Sequence, residues 1–357
     1  MLFSCSPRRA PADQAGGAIR AGHGGKTRTV DIHCHAHCQA AQELMQQIAD
    51  AHGQDFFYYG SDATMEVNRN QFKDIAPKFA SLETRLADMD AMGVDVQAVS
   101  PSPAQYYYFA EPDMARQSAR LVNDNQAAIV AAHPDRFVAL GTVPMQDTGM
   151  AIAELERCVK QLGLKGVELS TNVDGAELAD KRFERFFARC EELGIVIFLH
   201  PGGFTHRERL YDHYLNNLIG NPLDSTVAVA HLIFEGVLER MPGLKIVVAH
   251  GGGYIPPYAG RFDHGYRARA DCRQFISQPP STYLRKLYFD TMVFEPDQLK
   301  FLIEKYGADH IMLGTDYPYD MGEADPVGLI NRVEGISDDD RALVMGGAAA
   351  ALLGMAD

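Results

Sequence analysis

Eight short apolar runs alternate with longer helical segments between residues 29 and 316. Most are near-continuous stretches of β-branched and other apolar residues, which is the composition of parallel strands buried on both faces. The runs are TVDIH (29–33), VDVQAVS (94–100), RFVALGTV (136–143), LKGVELS (164–170), IVIFLH (195–200), LKIVVAH (244–250), KLYFDT (286–291) and HIMLGTD (310–316). This alternation predicts a (β/α)₈ TIM barrel. An open doubly wound sheet is the alternative, but no G-x-G-x-x-G motif follows the first run.

The remaining segments predict one barrel domain over residues 29–357. Helical patterns lie between the runs, for example at 114–133, 148–163, 179–194 and 295–307. A segment of 60 residues separates the first two runs, and its aromatic stretch DFFYYG (55–60) predicts an insertion that covers the mouth of the barrel. SDDDRALVMGGAAAALLG (337–354) predicts a capped C-terminal helix. Residues 1–28 lack the apolar core of a secretory signal, so we expect a flexible N-terminal extension.

Charge and cysteine content narrow the class of partner. The formal net charge of −14 at pH 7 disfavours nucleic acid and anionic membrane surfaces as partners. No stretch of sequence is apolar over the length that a membrane span requires. The six cysteines form no paired framework, which favours reduced thiols in a cytoplasmic protein. We therefore expect a small-molecule substrate.

Metal-binding side chains collect at the carboxyl ends of the predicted strands, where barrel enzymes place their catalytic residues. His33 and His35 lie at the end of the first strand, and because they are two residues apart they face the same side of an extended strand. His200 ends the fifth run and Asp316 ends the eighth. These four residues predict one divalent ion with an open coordination position, Zn²⁺ first, with Mn²⁺ or Fe²⁺ as alternatives. Two core histidines, or a shifted pair of His35 and His37, are the competing interpretations.

His250 ends the sixth run, in VVAHGGG, beside the predicted ion. A divalent ion lowers the pKa of a bound water toward about 7, and a neighbouring histidine suits the general base or acid for that water. A fifth metal ligand, or a histidine held only by packing, is the alternative. Cys34 alternates with the predicted ligands and so points away from them, and no C-x-x-C spacing includes Cys38. A zinc knot made of cysteines and histidines is therefore disfavoured.

Four motifs together resemble a known family. They are DIHCH (31–35), FLHPGG (198–203), AHGGGYIPPYAGRFDHG (249–265) and MLGTDYP (312–318). Their order and content resemble the amidohydrolase-2 branch of the amidohydrolase superfamily, with the nearest likeness to aminocarboxymuconate-semialdehyde decarboxylases. This resemblance implies decarboxylation of aromatic or muconate-type acids without a redox cofactor. It also implies that the four strand-end residues bind a single zinc ion, and that His250 activates the metal-bound water.

The resemblance also implies two substrate-binding arginines. Arg261 matches an arginine that reaches across a homodimer interface to a substrate carboxylate, and a surface arginine is the alternative. Arg69, in EVNRNQF (66–72), is the best candidate for a second arginine from the segment after the first strand. Where such decarboxylases carry a tryptophan after the FLHP motif, this chain has HPGGF (200–204) and no tryptophan at all. This departure predicts a pocket of different shape, so the resemblance does not specify which acid is the substrate.

The favoured function is a metal-dependent, non-oxidative decarboxylase of a muconate-semialdehyde or hydroxybenzoate-type acid, acting in aromatic compound catabolism. A metal-dependent hydrolase or hydratase acting on a related acid is the alternative, and a barrel that binds a metal or ligand without catalysis is a third. Lys165 lies at the start of the fourth run, the wrong end to bridge two metals. The prediction is therefore one ion, which disfavours a two-metal hydrolase.

Overall fold

The computed structural model describes residues 28–52 and 59–355. Apart from Arg28, the predicted N-terminal extension lies outside these ranges. So does most of the aromatic stretch DFFYYG, of which only Tyr59 and Gly60 are described. What we expect of those segments stays a prediction.

Eight parallel strands form one sheet in which chain neighbours pair in order. The strands are β1 (Val30–Ala36), β2 (Val96–Pro101), β3 (Phe137–Gly141), β4 (Gly166–Leu169), β5 (Val196–Leu199), β6 (Lys245–Val248), β7 (Tyr288–Asp290) and β8 (Ile311–Met312). Each lies within or beside one of the eight predicted runs. The predicted (β/α)₈ barrel is confirmed, and the open doubly wound sheet is wrong because its strand order would not follow the chain.

Hydrogen bonds between the first and last strands bring the sheet close to closure. The amide of Ile32 donates to the carbonyl oxygen of Leu313 at 2.9 Å, and the amide of His35 donates to that of Tyr317 at 2.8 Å. The pairing thus continues past the end of β8 and runs alongside the carboxyl-terminal half of β1. This seam places Asp316 next to the histidines of β1.

Helices surround the strands, and three of them form the insertion after β1. These three are α1 (Gln39–His52), α2 (Asp62–Ala80) and α3 (Leu82–Met92). The others are α4 (Pro112–Ala132), α5 (Thr148–Lys160), α6 (Glu184–Leu193), α7 (Asn221–Phe234), α8 (Val237–Arg240), α9 (Ile255–Ala268), α10 (Pro280–Leu284), α11 (Pro296–Tyr306), α12 (Pro326–Asn331), α13 (Asp338–Ala342) and α14 (Ala348–Leu352). Within the described ranges, no helix has the length and apolarity needed to cross a membrane.

Shorter elements complete the chain. Two π-turns, Asn216–Gly220 and Leu343–Gly347, lead into α7 and α14. A two-stranded antiparallel hairpin pairs Asn172–Val173 with Ala176–Glu177. The 3₁₀ turns are Pro103–Gln105, Lys181–Phe183, His250–Gly252, Asp271–Arg273 and Ala308–His310.

Local sequence signals fix several helix ends. The Asp147 side chain accepts a hydrogen bond from the amide of Met150 at 2.8 Å and so caps the start of α5. Ser337 and Asp340 form a reciprocal capping box at the start of α13, which confirms the predicted cap of the C-terminal helical segment. Gly93 ends α3 with a φ of 72°, a left-handed conformation that glycine adopts without steric cost.

The apolar core divides into two clusters that follow the alternation of side chains along each strand. Phe198 of β5 and Val247 of β6 belong to a smaller cluster that includes Leu352 of α14. The next residues along these strands, Leu199 and Val248, belong to the larger cluster between the strands and the helices. His200 follows Phe198 by two residues, so its ring lies on the same face as Phe198.

Candidate metal centre

The first strand carries both of the histidines predicted at its end. The run TVDIH covers residues 29–33 and the prediction keeps His35 on the same extended strand, which agrees with β1 continuing to Ala36. The extension arises because His35 pairs with Ser100 of β2 and donates its amide to Tyr317 across the barrel seam. Both histidine side chains are fully buried. The regular strand therefore presents two imidazoles to one site.

The four predicted ligands meet in one group. One candidate ligand atom from each of His33, His35, His200 and Asp316 lies within 4.8 Å of the others. The Nε2 atoms of His33 and His35 lie 3.4 and 3.2 Å from Oδ1 of Asp316. His37 lies outside this group, and its Nε2 contacts Oε1 of Gln42 at 2.5 Å. The grouping therefore favours the pair His33 and His35 over the shifted pair.

The donor atoms of this group suit a divalent cation. His33 Nε2, His35 Nε2, both ring nitrogens of His200 and Oδ1 of Asp316 are buried and form no hydrogen bond with any described residue. Buried polar atoms normally have a hydrogen-bond partner or bind an ion. Five unpartnered atoms in one place therefore indicate a binding site for an ion. Three imidazoles and one carboxylate form a mixed nitrogen and oxygen set that Zn²⁺ and Mn²⁺ both accept.

Hydrogen bonds on the far side of two rings orient their lone pairs toward the group. The Nδ1–H of His33 donates to Oδ2 of Asp290 at 2.6 Å, and the Nδ1–H of His35 donates to the carbonyl oxygen of Pro101 at 3.0 Å. With the proton on Nδ1, each ring leaves the Nε2 lone pair free. Such outer contacts fix the tautomer and the orientation of metal-binding histidines.

Opposite charges dominate the electrostatics of the group. Burial lowers the pKa of His33, but the carboxylates of Asp316 and Asp290 outweigh it and raise that pKa to about 10. Burial raises the pKa of Asp316, yet the positive charges of the nearby His33 and His35 rings hold it well below its usual value. The carboxylates thus favour a positive charge at the centre of the group, which a cation supplies.

His250 lies beside the group rather than within it. Its Nε2 atom is 4.0 Å from Oδ2 of Asp316, and its side chain is 16% exposed. The residue starts a 3₁₀ turn with a φ of 57°, and its amide donates to Oδ2 of Asp290 at 2.9 Å. Burial and the positive charge of His33 lower the pKa of His250 to about 4. The neutral ring is the form that accepts a proton.

Glycines after His250 allow the turn to lie close to the barrel. Gly251 and Gly252 have φ values of 60° and 78°. A Cβ on Gly251 would lie 2.4 Å from a side-chain atom of Val293, so no larger residue fits. Because Gly251 has no Cβ, the turn can lie close enough to the barrel to hold His250 beside the candidate metal centre.

Sequence reasoning missed two buried carboxylates. Asp290 ends β7 and accepts hydrogen bonds from His33, His250 and the amide of Gly251 at 2.7 Å. Glu168 lies in β4, where its Oε2 is 3.7 Å from Nδ1 of His35 and its Oε1 accepts from the Tyr106 hydroxyl at 2.6 Å. Barrel enzymes place functional residues at the carboxyl ends of strands, and Asp290 lies near the end of the seventh run, KLYFDT, so the sequence could have identified it.

Two connected cavities open above the group. The first, with an empty volume of about 650 Å³, is lined by His200 and Asp316 together with Tyr59, Asn68, Pro103, Pro201, Gly202, Gly203, Tyr214, Asn216, Asn217, Asn221, Tyr319 and Met321. The second, about 1400 Å³ including space open to solvent, reaches His250 and an apolar wall that includes Met292, Phe294 and Phe301. Tyr59 and Asn68 belong to the segment after β1, so its described part contributes to the lining of the site.

Neither predicted arginine reaches these cavities within the chain. Arg69 is exposed on α2 and Arg261 is exposed on α9, and neither forms an ion pair with a described residue. Both substrate-binding roles stay predictions. Cys34 is buried and its thiol donates to the carbonyl oxygen of Ala98 at 3.6 Å, so it points away from the ligands as expected.

Comparison with known proteins agrees with this geometry. A family model described as amidohydrolase matches residues 30–355. The chain belongs to the amidohydrolase family. It is 36% identical, over 82% of both chains, to a 2-amino-3-carboxymuconate-6-semialdehyde decarboxylase from Dictyostelium discoideum. The amidohydrolase resemblance predicted from the motifs is confirmed.

Solved structures share the amidohydrolase barrel. A 5-carboxyvanillate decarboxylase from Sphingomonas paucimobilis superposes with a TM-score of 0.81 at 26% identity, over 93% of this chain and all of the other. A dihydroxybenzoic acid decarboxylase from Polaromonas sp. JS666, solved with manganese and 2-nitroresorcinol, has a TM-score of 0.76 at 22% identity. It covers 92% of this chain and 98% of its own, and at that identity it shows the fold alone. These relatives are consistent with the predicted carboxy-lyase.

Proposed function

We propose that this chain is a metal-dependent, non-oxidative decarboxylase of a small muconate-semialdehyde or hydroxybenzoate-type carboxylic acid. One observation carries the proposal, namely the buried group of His33, His35, His200 and Asp316, whose donor atoms have no hydrogen-bond partner among the described residues. Asp316 of that group also lines the second cavity, which has the size that small ligands occupy. The names of the relatives supply the class of reaction.

The four residues would hold one divalent ion, zinc by our prediction, with manganese as the alternative. When bound, the ion supplies a Lewis acid and lowers the pKa of a coordinated water toward about 7. Manganese is the metal in the Polaromonas structure, so both ions belong in any test. The described residues add no second group of ligands, which supports a single ion.

His250 is the residue that we assign to proton transfer. In decarboxylation the bond between the substrate carbon and its carboxylate breaks, CO₂ leaves, and the remaining electron pair on carbon takes up one proton. A neutral imidazole that gains a proton from water can deliver it to that carbon. His250 suits this role because it borders the cavity and its side chain is 16% exposed, which allows exchange with solvent.

A homodimer in which Arg261 enters the partner's site completes the proposal. Within the described lining of either cavity there is no lysine or arginine to bind a substrate carboxylate. Helix α9 begins at the rim of the second cavity with Tyr254 and Pro257, and it carries Arg261 on its exposed side. Tyr254, Tyr258 and Arg261 are four and three residues apart, so they share one face, and the two tyrosines are 36% and 59% exposed.

Arg69 is a weaker candidate for a second carboxylate contact. It is exposed on α2, one residue after Asn68, which lines the first cavity. We also place the protein in the cytoplasm, a prediction that the unpaired state of the five described cysteines supports.

Carbon dioxide release tests the proposed reaction. Purified protein loaded with zinc or manganese is assayed against carboxylated muconate semialdehydes, hydroxybenzoates and pyrone lactones. The proposal predicts CO₂ release from at least one acid, with one solvent deuterium in the product when the reaction runs in D₂O. Ring opening of a lactone, or water addition without CO₂, would instead identify a hydrolase or a hydratase.

A histidine variant tests the proton-transfer assignment. His250→Asn should lower kcat by about 10²- to 10⁴-fold while metal content stays at the wild-type level. His231→Asn is the matched control, because His231 lies on α7 with a side chain that is 43% exposed. Unchanged turnover of His250→Asn would overturn the assignment.

A further inference from the structure

Glu168 is a buried carboxylate to which the proposed reaction gives no role. It lies in β4, Gly166–Leu169, and is fully buried there among apolar residues. Its Cα pairs with that of Phe198 in β5, so the two side chains project from the same face of the sheet. His200 follows Phe198 by two residues on that face. The pairing therefore places Glu168 on the face that carries a candidate metal ligand.

Hydrogen bonding satisfies only one oxygen of this carboxylate within the described ranges. The Tyr106 hydroxyl donates to Oε1 at 2.6 Å, whereas Oε2 is buried and accepts no hydrogen bond. A buried carboxylate is normally paired with a cation or well supplied with hydrogen bonds, because its loss of hydration is costly. Among the described basic side chains, only His35 lies within 4.0 Å of Glu168, with Nδ1 3.7 Å from Oε2. Its charge therefore faces a candidate ligand rather than a lysine or arginine.

The ring of His35 does not depend on Glu168 for its orientation. Its Nδ1–H donates to the carbonyl oxygen of Pro101 at 3.0 Å, a shorter contact than the 3.7 Å to Glu168. On the opposite side of the ring, Nε2 lies 3.2 Å from Oδ1 of Asp316. One imidazole thus separates Glu168 from the point where the four candidate ligands meet. Charges act strongly over such a distance when they are buried, because little solvent screens them.

Carboxylates outnumber buried cations around this point. Four buried carboxylates contact His33 or His35, and they belong to Asp31, Glu168, Asp290 and Asp316. Among the described residues, one arginine and no lysine is buried. That arginine is Arg85, which donates to the carbonyl oxygen of His35 at 2.5 Å. A divalent ion among the four candidate ligands would offset much of the excess negative charge.

We propose that Glu168 acts through His35 as a positioning residue, whose negative charge strengthens the binding of a divalent ion without contacting it. This inference rests on the proposed metal centre and adds no ligand to it. In the metal-free protein, Glu168 is a poorly compensated buried charge, which destabilises the fold. With the ion bound, the same charge attracts the ion across the imidazole ring. A neutral side chain of the same size should therefore affect the two states in opposite directions.

Glu168→Gln tests this role, with Glu154→Gln as the matched control. Glu154 is also a buried glutamate, but it lies on α5, where it accepts from Asn123 at 2.8 Å and lies 3.6 Å from Arg157. Competition with a chelating indicator measures the affinity for zinc and for manganese. Urea unfolding of the chelator-treated full chain measures the stability of the metal-free form.

Glu168→Gln should weaken metal binding by about 10- to 100-fold. It should also raise the urea midpoint of the metal-free form, because a buried charge without a full set of partners is removed. Glu154→Gln should keep the wild-type metal affinity and lower the midpoint, because Arg157 then loses its buried partner. A residue with only a structural role would lower the midpoint at both positions.

Wild-type metal affinity in Glu168→Gln, or a metal-free midpoint at or below that of wild type, would overturn the inference. Two ions per chain in wild type and one in Glu168→Gln would also overturn it, because Glu168 would then be a ligand. Absence of metal binding by wild type would contradict both this inference and the proposed function. Metal binding with the expected Glu168→Gln effects, but without CO₂ release by wild type, would contradict the proposed function alone.

Discussion

Asp290 is a single buried carboxylate that orients two parts of the site. It accepts the Nδ1–H of His33 at 2.6 Å and the amide of His250 at 2.9 Å, and it also accepts the amides of Gly251 and Met292. One residue on β7 therefore sets the tautomer of His33, a proposed metal ligand, and the position of His250, the proposed proton-transfer residue. Such outer contacts change metal affinity by about 10- to 100-fold when they are lost.

Asp290→Asn is therefore expected to weaken metal binding by about 10- to 100-fold. Asparagine at position 290 replaces one carboxylate oxygen with an NH₂ group. Facing the N–H donors of His33 and His250, that group cannot accept their hydrogen bonds, and it favours the tautomer of His33 that carries its proton on Nε2. Competition with a chelating indicator measures the affinity. Asp263→Asn is the control, because Asp263 accepts two hydrogen bonds from Ser281, remote from the metal ligands. Wild-type affinity in Asp290→Asn would contradict this role.

At the scale of elements, a buried network joins β1, β2 and the end of β8. Asp31 accepts hydrogen bonds from Gln97 at 3.0 Å, from the Thr315 hydroxyl at 2.6 Å, and from the amides of Thr315 and His33. Arg85 of α3 donates to Gln97 at 3.0 Å and so ties the insertion to the same network. The network fixes the seam that brings Asp316 to the histidines.

Removing one donor from this seam should destabilise the fold. Thr315→Val keeps the shape of the side chain but removes the hydroxyl that donates to Asp31. Loss of a hydrogen bond to a buried carboxylate lowers the free energy of unfolding by about 1–3 kcal/mol. Urea unfolding should show that loss in the free energy of unfolding. Thr282→Val, at an exposed position on α10, should change it by less than about 0.5 kcal/mol. Equal stability of the two variants would show that the seam does not depend on this contact.

The elements were predictable from sequence where the signal is local. Continuous apolar runs located all eight strands, and the rule that strand ends carry functional residues identified the four side chains that the structure brings together. His33 and His35 were both expected on the first strand, but the hydrogen bond that holds His35 there comes from Tyr317, which is remote in sequence. Asp290 ends β7 and could have been identified by its place at a strand end, but its contacts with His33 and with the turn of His250 and Gly251 join segments that are remote in sequence. Contacts of that kind appear only once the barrel is assembled.

At the scale of the whole molecule, the described residues of one chain place no lysine or arginine in the lining of the site. The exposed Arg261 lies on a helix that starts at the cavity rim. A twofold dimer presents the same surface from both copies, so each chain can complete its partner's site. In this proposal, each complete substrate pocket therefore contains residues from both chains of the dimer.

Mixing two inactive variants tests that proposal. Arg261→Ala and His250→Asn should each be inactive alone, but a mixed dimer holds one site with both native residues. Random reassociation should therefore restore about a quarter of wild-type activity. Arg267→Ala, a change at an exposed position on the same helix, should be active alone. No recovery on mixing, with dimer exchange verified by mass, would contradict a shared site.

Metal content tests the central claim most directly, because the function depends on one ion held by four residues. Protein reconstituted with excess zinc or manganese, then freed of loosely bound ions, is analysed by mass spectrometry for metal per chain. We expect one ion per chain in wild type and in His231→Asn, and well under half an ion in His200→Ala. Two ions per chain, none, or the same content in His200→Ala would contradict the account.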